Sequence, residues 1–322
     1  MSGIIGVTST MGIFILIGNP QILGADHSIR QSGYRFINPL LECEVQNKIE
    51  RQKYIPFEEV AINRINEEVI NKNPSVKVGV YFRNLNNGPW FGINENEYYS
   101  PASILKVPIF ITYLKWAEKD PSIWNKKMPI SSDSSFTHYF PPSKVLATNQ
   151  EYDTKTLLEH MIKYSDNHAM GSLVKAIPTD LYSQINRDLG ITVPGIKTPE
   201  DYLSVKDMAT FFRILYNSSY LERESSEYAL KVLSETDFNK GLRVGIPSEV
   251  LISHKFGERG YNDEATKKYV KQLHDCGIVY YEQYPYLACV VTRGDDFDIN
   301  AKIIADTSRI IFEEVSKAFP RK

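Results

Sequence analysis

The sequence predicts an α/β (α+β) protein, in which an antiparallel sheet flanked by helices is interrupted by an all-α insertion. Three observations carry that expectation. Segments of period 2 and period 3.6 follow one another as helix, two strands, a helical block, three strands and a final helix. Short turns, Asn86-Asn87-Gly88 early in the chain and Glu282 to Pro285 late, join neighbouring strands as hairpins. A chain of 322 residues with 42% hydrophobic content can bury a full core, as one large domain or two closely packed subdomains, without relying on disulfides.

In chain order, residues 1–25 carry no charge, and Gly3 to Gly18 is an almost unbroken apolar run. That run reads as a signal segment or a short membrane anchor, although no Lys or Arg precedes it, and it predicts an exported protein, secreted or membrane-anchored. Residues 26–55 are polar and irregular, with Asn38-Pro39 and Ile55-Pro56 as breakers, and read as a linker. The folded body is then 56–322, its α/β part about 56–98 and 217–322 and its all-α part about 99–216. A first helix is expected from Phe57 to Asn71, with Val60, Ile62, Ile65, Val69 and Ile70 as its apolar stripe, stopped by Pro74. Val76 to Phe82 and Trp90 to Ile93 form the first hairpin. A helix opened by Ser100 as cap and Pro101 as first residue runs on to Asp120-Pro121. Leu157 to Tyr164, Ala169 to Ile177 and Val205 to Tyr216 are amphipathic helices, and another contains Tyr228, Leu230, Val232 and Leu233. Val250 to Phe256, Ile278 to Tyr281 and Leu287 to Thr292 read as strands. Asp298 is expected to cap the last helix, whose apolar side carries Ile303, Ile304, Ile310, Ile311, Val315 and Phe319.

A net charge of -2 with no basic block argues against nucleic acid as a partner, so the twenty tyrosines and fifteen phenylalanines read as core and pocket material. Cys43, Cys276 and Cys289 make an odd count. Glu42 before Cys43 speaks against a lipoprotein cleavage site. Cys276 and Cys289 fall on adjacent strands in a register that is not expected to place them opposite each other, so they read as buried free thiols. With no C-x-x-C and no H-E-x-x-H, neither a metal nor another cofactor is called for.

The chemistry lies in Ser103 and Lys106, an S-x-x-K one helical turn apart on one face. A serine hydroxyl is a weak nucleophile at neutral pH, and a close amine can take its proton once burial lowers the amine's pKa. The N-terminus of the helix adds partial positive charge where a tetrahedral oxyanion forms. The pair alone is weak, because a chain of this length holds about one such spacing by chance. A second copy, Ser172 to Lys175, lies inside an expected helix from Asn167 to Ala176 and reads as coincidence. Further along come Ser165-Asp166-Asn167, just after a helix, and Lys255-Phe256-Gly257 on a strand.

With these three motifs in this order and spacing, the chain resembles the class A β-lactamase and penicillin-binding protein superfamily, whose motifs are S-x-x-K, S-D-N and K-T-G. The likeness spans roughly Phe57 to Phe319 and includes Gly79-Val80-Tyr81, Gly241 to Pro247 and Asp275 to Val279. It implies a β-lactamase/transpeptidase-like fold with the active site in the cleft between subdomains. It also implies a small-molecule or peptidoglycan-peptide substrate, with β-lactams as acylating partners. Ser103 becomes the nucleophile, Lys106 the candidate base and Ser165 a proton relay. Asn167 holds the substrate amide, Lys255 supplies charge for a substrate carboxylate, and the backbone N–H groups of Ser103 and Glu258, beside Gly257, form the oxyanion hole. Asp166 reads as a loop residue bonding backbone N–H groups.

The departures are as informative. Phe256 stands where the family has a hydroxyl that helps bind the carboxylate. Cys276 replaces an arginine, for which Arg259 is the substitute on offer. The interval from Asn167 to Met208 is too short for the family's Ω-shaped loop with its deacylating glutamate, and only Glu200 and Asp201 offer carboxylates nearby. The resemblance implies a class A β-lactamase-like serine hydrolase that forms an acyl-enzyme on Ser103 with β-lactams or D-alanyl peptides and is slow to deacylate, with a D,D-carboxypeptidase or esterase acting on peptidoglycan peptides, or an acylated penicillin sensor, as the alternative.

Overall fold

The structure, a computed structural model, describes residues 34–38, 54–130, 138–191, 199–263 and 266–320. The uncharged N-terminal run and Cys43 lie outside the described residues. The first apolar stripe folds as helix α1 (Glu58–Ile65), extended by a π-helical turn over Asn66–Ile70. Its buried line is Ala61, Ile65 and Val69, four residues apart. Val60, expected on that line, is turned about 100° away and is exposed. Strands β1 (Lys77–Asn84) and β2 (Trp90–Ile93) make the expected hairpin, pairing Val80 with Ile93. Gly88 takes φ +92° in its turn, a conformation that suits a residue without Cβ.

The chain then leaves the sheet through β3 (Tyr98–Tyr99) and a 3₁₀ turn, Ala102–Leu105, into α2 (Lys106–Lys119). Residues 106–114 of α2 are all buried, the mark of a helix at the centre of its layer. Around it stand the pair β4 (Lys127–Pro129) and β5 (Glu151–Asp153), then α3 (Thr154–Lys163), α4 (Asn167–Ala176) and α5 (Thr179–Asp188). β6 (Leu203–Ser204) pairs with β3 and leads into α6 (Val205–Tyr216), followed by α7 (Arg223–Ser234). The start of α6 was legible for a physical reason: Ser204 and Asp207 form a reciprocal capping box.

Strands β7 (Leu251–Asn262), β8 (Tyr269–Tyr280) and β9 (Tyr286–Gly294) complete one antiparallel sheet in the order β2-β1-β9-β8-β7, with β7 at an edge. Helix α8 (Phe297–Ala318) packs with α1 on one face, and the helical block covers the other. Asp296, not Asp298, caps α8, accepting from the N–H groups of Asp298 and Ile299 at 2.8 and 2.9 Å.

Two expectations about the sheet need correction. β7 and β8 run well past the apolar stretches that announced them, because cross-strand pairing from Glu258 to Asn262 against Tyr269 to Leu273 carries polar residues into the ladder. Cys276 and Cys289 are not free thiols. Val279 pairs with Tyr286 across the turn, and counting back from that pair sets Cys276 opposite Cys289, where they form a disulfide with Cα atoms 3.9 Å apart. Within the stretch read as a linker, Phe36 and Ile37 are buried, and the Glu227 carboxylate of α7 accepts from the N–H groups of Arg35, Phe36 and Ile37 at 2.5, 2.7 and 3.0 Å. Among the described residues, no helix is long and apolar enough to cross a membrane.

Candidate active site

Ser103 sits in the 3₁₀ turn ahead of α2, and the sheet rather than a helix cap holds that turn in place. Ser100, expected from the sequence to cap the helix, makes no capping hydrogen bond there. Its N–H donates to Gln272 Oε1 at 3.0 Å, its carbonyl accepts from His274 Nε2 at 2.7 Å, and its hydroxyl donates to Glu200 Oε1 at 3.2 Å. Gln272 and His274 are two apart on β8 and so share a face. Burial lowers His274 to about 4, so the neutral imidazole makes this contact. Ala102, just before the nucleophile, has φ +47°, and Ser165 has φ +55°. A non-glycine residue in that region costs on the order of 1–3 kcal/mol, and here one such residue directly precedes Ser103 and the other is Ser165 itself.

Lys106 is fully buried in the first turn of α2. Its Nζ lies 2.6 Å from Ser165 O, 3.0 Å from Ser165 Oγ and 2.7 Å from Asn167 Oδ1. Ser165 and Asn167 reach it because Asp166 caps α4, accepting from the N–H groups of His168 and Ala169 at 2.8 and 3.1 Å. Asp166 also accepts from Leu146 N at 3.3 Å, the structural role expected of it. Desolvation, then the cation of Lys255, hold Lys106 well below the usual lysine value, against the pull of Asp166 and Glu258. Lys255 is fully buried too, and desolvation lowers it to about 7 although Asp275, Asp237 and Glu258 act to raise it. Among the described residues, neither lysine forms an ion pair, and burying an unpaired ammonium costs several kcal/mol. At Lys106 that cost, with the Lys255 cation nearby, favours the neutral amine, the form that can accept a proton.

The facing wall is the edge strand β7. A Cβ on Gly257 would stand 2.9 Å from Ser103 N and 3.1 Å from Ile104 N, so only glycine lets the strand approach this closely. The next residue, Glu258, turns its carboxylate to a strap at His138–Phe140, accepting from Tyr139 N and Phe140 N at 3.1 Å each. Phe256, read from the sequence as a site residue, faces away from the cleft. Its ring stacks on Phe238 at 3.9 Å in the core, and it offers the site only its carbonyl, which accepts from Lys255 Nζ at 3.0 Å. Asp275 fixes the neighbouring turn by accepting from Leu242 N and the His254 ring at 2.9 and 2.8 Å, and Gly241 at φ +55° leaves room for it.

Glu200 and Asp201 stand on the other side of Ser100, both engaged with arginines. Glu200 pairs with Arg259 Nε at 2.6 Å, which also engages the arginine read from the sequence as a substitute for the one that Cys276 replaces. Asp201 accepts from Arg293 Nη2 and Gln272 Nε2 at 2.7 Å each and from Tyr261 OH at 3.5 Å. The second S-x-x-K is surface structure: Ser172 Oγ bonds Pro129 O at 2.8 Å and Lys175 is exposed. Sequence reading missed Gln272, His274 and His138. The first two show only as alternate polar positions on a strand, and His138 has no local signal. Among the described residues, no group of side chains is arranged to hold a metal ion.

The profile of the beta-lactamase enzyme family matches residues 61–315 of the chain. The chain belongs to that family. It is a serine hydrolase by that membership, with the family's fold. A curated relative, Beta-lactamase VEB-1 of Pseudomonas aeruginosa, is 24% identical over 264 residues, covering 76% of this chain and 87% of the relative. Among solved structures, PBP-A is similar with a TM-score of 0.68 at 20% identity, over 80% of this chain and 96% of that one. A β-lactamase from Chitinophaga pinensis has a TM-score of 0.66 at 20% identity, over 80% and 99%. At these identities the structural likeness speaks for the fold alone.

Proposed function

We propose that the protein is acylated on Ser103 by β-lactams or D-alanyl peptides and releases the acyl group slowly. The observation that carries this reading is Lys106: buried, without a counter-ion, bonded to Ser165 and Asn167, and one turn from Ser103. Its neutral amine takes the Ser103 hydroxyl proton as Oγ bonds to the carbonyl carbon, whose oxygen becomes an oxyanion held by the N–H groups of Ser103 and Glu258. As the oxyanion collapses, the C–N bond breaks and the leaving nitrogen takes a proton from Ser165, which regains one from the Lys106 ammonium. The proton removed from Ser103 thus ends on the leaving amine. Asn167 Nδ2 meets the substrate's amide carbonyl, and Lys255 attracts its carboxylate.

Slow release is supported by the engagement of Glu200 and Asp201 with Arg259 and Arg293, which holds both carboxylates as ion-pair partners rather than as bases for water. A variant of PBP-A is described as an acyl-enzyme complex with penicillin G, which supports the first half of the cycle. Rapid turnover is the second reading, favoured by the relative that is named a β-lactamase. Export, secreted or anchored, is part of the proposal, supported by the uncharged N-terminal run and by the Cys276–Cys289 disulfide. Intact mass after mixing with benzylpenicillin tests it. A stoichiometric adduct that persists is expected, rapid loss with turnover favours the second reading, and no adduct overturns both.

A further inference from the structure

His138 is the third of four side chains in a row that starts at Lys106 and ends at Glu258. An N–H of Lys106 Nζ donates to Asn167 Oδ1 at 2.7 Å, which leaves Nδ2 of that amide pointing outward. Asn167 Nδ2 lies 3.0 Å from His138 Nε2. An amide nitrogen has no lone pair to offer, so His138 Nε2 is the acceptor and the ring proton sits on Nδ1. That nitrogen lies 3.2 Å from Glu258 Oε1, a carboxylate that accepts it. Both neighbours therefore select the same neutral tautomer.

The imidazole is held in this place. The same Glu258 carboxylate accepts from Tyr139 N and Phe140 N, the Tyr139 ring stacks on Phe297 at 4.8 Å and its hydroxyl donates to Asp298 Oδ2 at 2.6 Å. Phe140 packs edge-on against Phe238, which stacks in turn on Phe256. His138 is thus fixed from the edge strand, with its free lone pair aimed at the one Asn167 group that faces the cleft.

We propose that His138 is a specificity-determining residue of the acylation site: its imidazole accepts one of the two N–H groups of Asn167 Nδ2, and a substrate's acylamino carbonyl competes with it at that nitrogen. Substrates without that carbonyl leave the His138–Asn167 bond intact and escape the cost. The inference rests on the acylation reading above, in which Asn167 Nδ2 meets the substrate amide. His138 and Glu258 together then set how strongly the site discriminates between acyl donors that differ only at the acylamino group.

The test compares acylation rates for benzylpenicillin and for the penicillin nucleus bearing a free amine in place of the acylamino group, in the wild type, His138→Ala and His138→Gln. Removing the competing acceptor is expected to raise the ratio of the two rates, benzylpenicillin over free amine, by about 3–10-fold in His138→Ala, the range of one hydrogen bond. His138→Gln keeps an acceptor and is expected to restore much of the wild-type ratio. A ratio that stays the same in His138→Ala, or two rates that fall together, overturns the proposal and leaves the acylation reading standing. If the wild type is acylated by neither compound, the acylation reading itself fails. Imidazole ¹⁵N shifts of the free protein give a readout independent of reactivity: His138 is expected as the Nδ1–H tautomer, and the Nε2–H tautomer overturns the proposal.

Discussion

Two clusters of charge lie on either side of Ser100, and they are built on opposite rules. On one side Lys106 and Lys255 are fully buried with no carboxylate in contact, and both sit below their usual pKa. On the other, Glu200 and Asp201 are partly exposed and each meets an arginine at 2.6 or 2.7 Å. A charge left without its partner stays reactive, whereas a charge closed into an ion pair becomes structure. The site has therefore left the lysines proposed to serve acylation without a carboxylate partner and closed the nearby carboxylates into ion pairs.

Breaking the reactive side should have the largest effect. Ser103→Ala is expected to abolish covalent labelling by penicillin while circular dichroism stays native, and residual labelling would place the nucleophile elsewhere. Lys106→Met removes the proposed base but keeps much of the buried volume. Acylation is expected to fall by about 10²–10⁴-fold, the usual worth of general base catalysis, as read by stopped-flow labelling.

The pH dependence sharpens the contrast further. The Lys255 ammonium is present below about 7 and lost above it, so acylation by a carboxylate-bearing substrate should decline as the pH rises through that value. Lys255→Arg keeps its proton and should carry the alkaline limb to higher pH. The acid limb is expected to belong to Lys106, the proposed base, whose amine must lose its proton before it can act. On the structural side the effects should be smaller. Asp201→Asn weakens a partly exposed pair and should lower stability by about 1 kcal/mol in urea melts, with the acyl-enzyme lifetime within about 2-fold of wild type. Glu200→Gln, which alters a more exposed pair, should do less to stability. A lifetime lengthened tenfold by either change would show that its carboxylate serves deacylation.

What the sequence made legible was local. Ser103 and Lys106, Ser165 and Asn167, and Lys255 and Gly257 are motifs written within a few consecutive positions, and once the element order is right Lys106 meets Ser165 and Asn167 while Gly257 meets the Ser103 backbone. Helix α6 was legible to the residue because its capping box is written in four consecutive positions. What escaped depends on pairing between distant strands. Ser100 looks like a cap until Gln272 and His274 are brought beside it. The disulfide depends on the register across the turn before β9, and a one-residue difference in that turn changes which residues face each other. The polar ends of β7 and β8 have no apolar alternation to announce them. Phe256 was taken for a site residue because it stands in a motif, but the pleat of the strand sends its ring into the core.

Helix α2 is walled in on every side from residue 106 to residue 114, and this sets how the protein should fail. Solvent cannot reach the amides of that segment through fraying or through small movements at the cleft mouth. Their hydrogen exchange should match the slowest class in the molecule, opening only with the helical block around them. Lys106 then stays dry for as long as the block is folded. On heating, the ability to form the acyl bond should disappear in the same transition as the tertiary structure, with no earlier, separate step of inactivation.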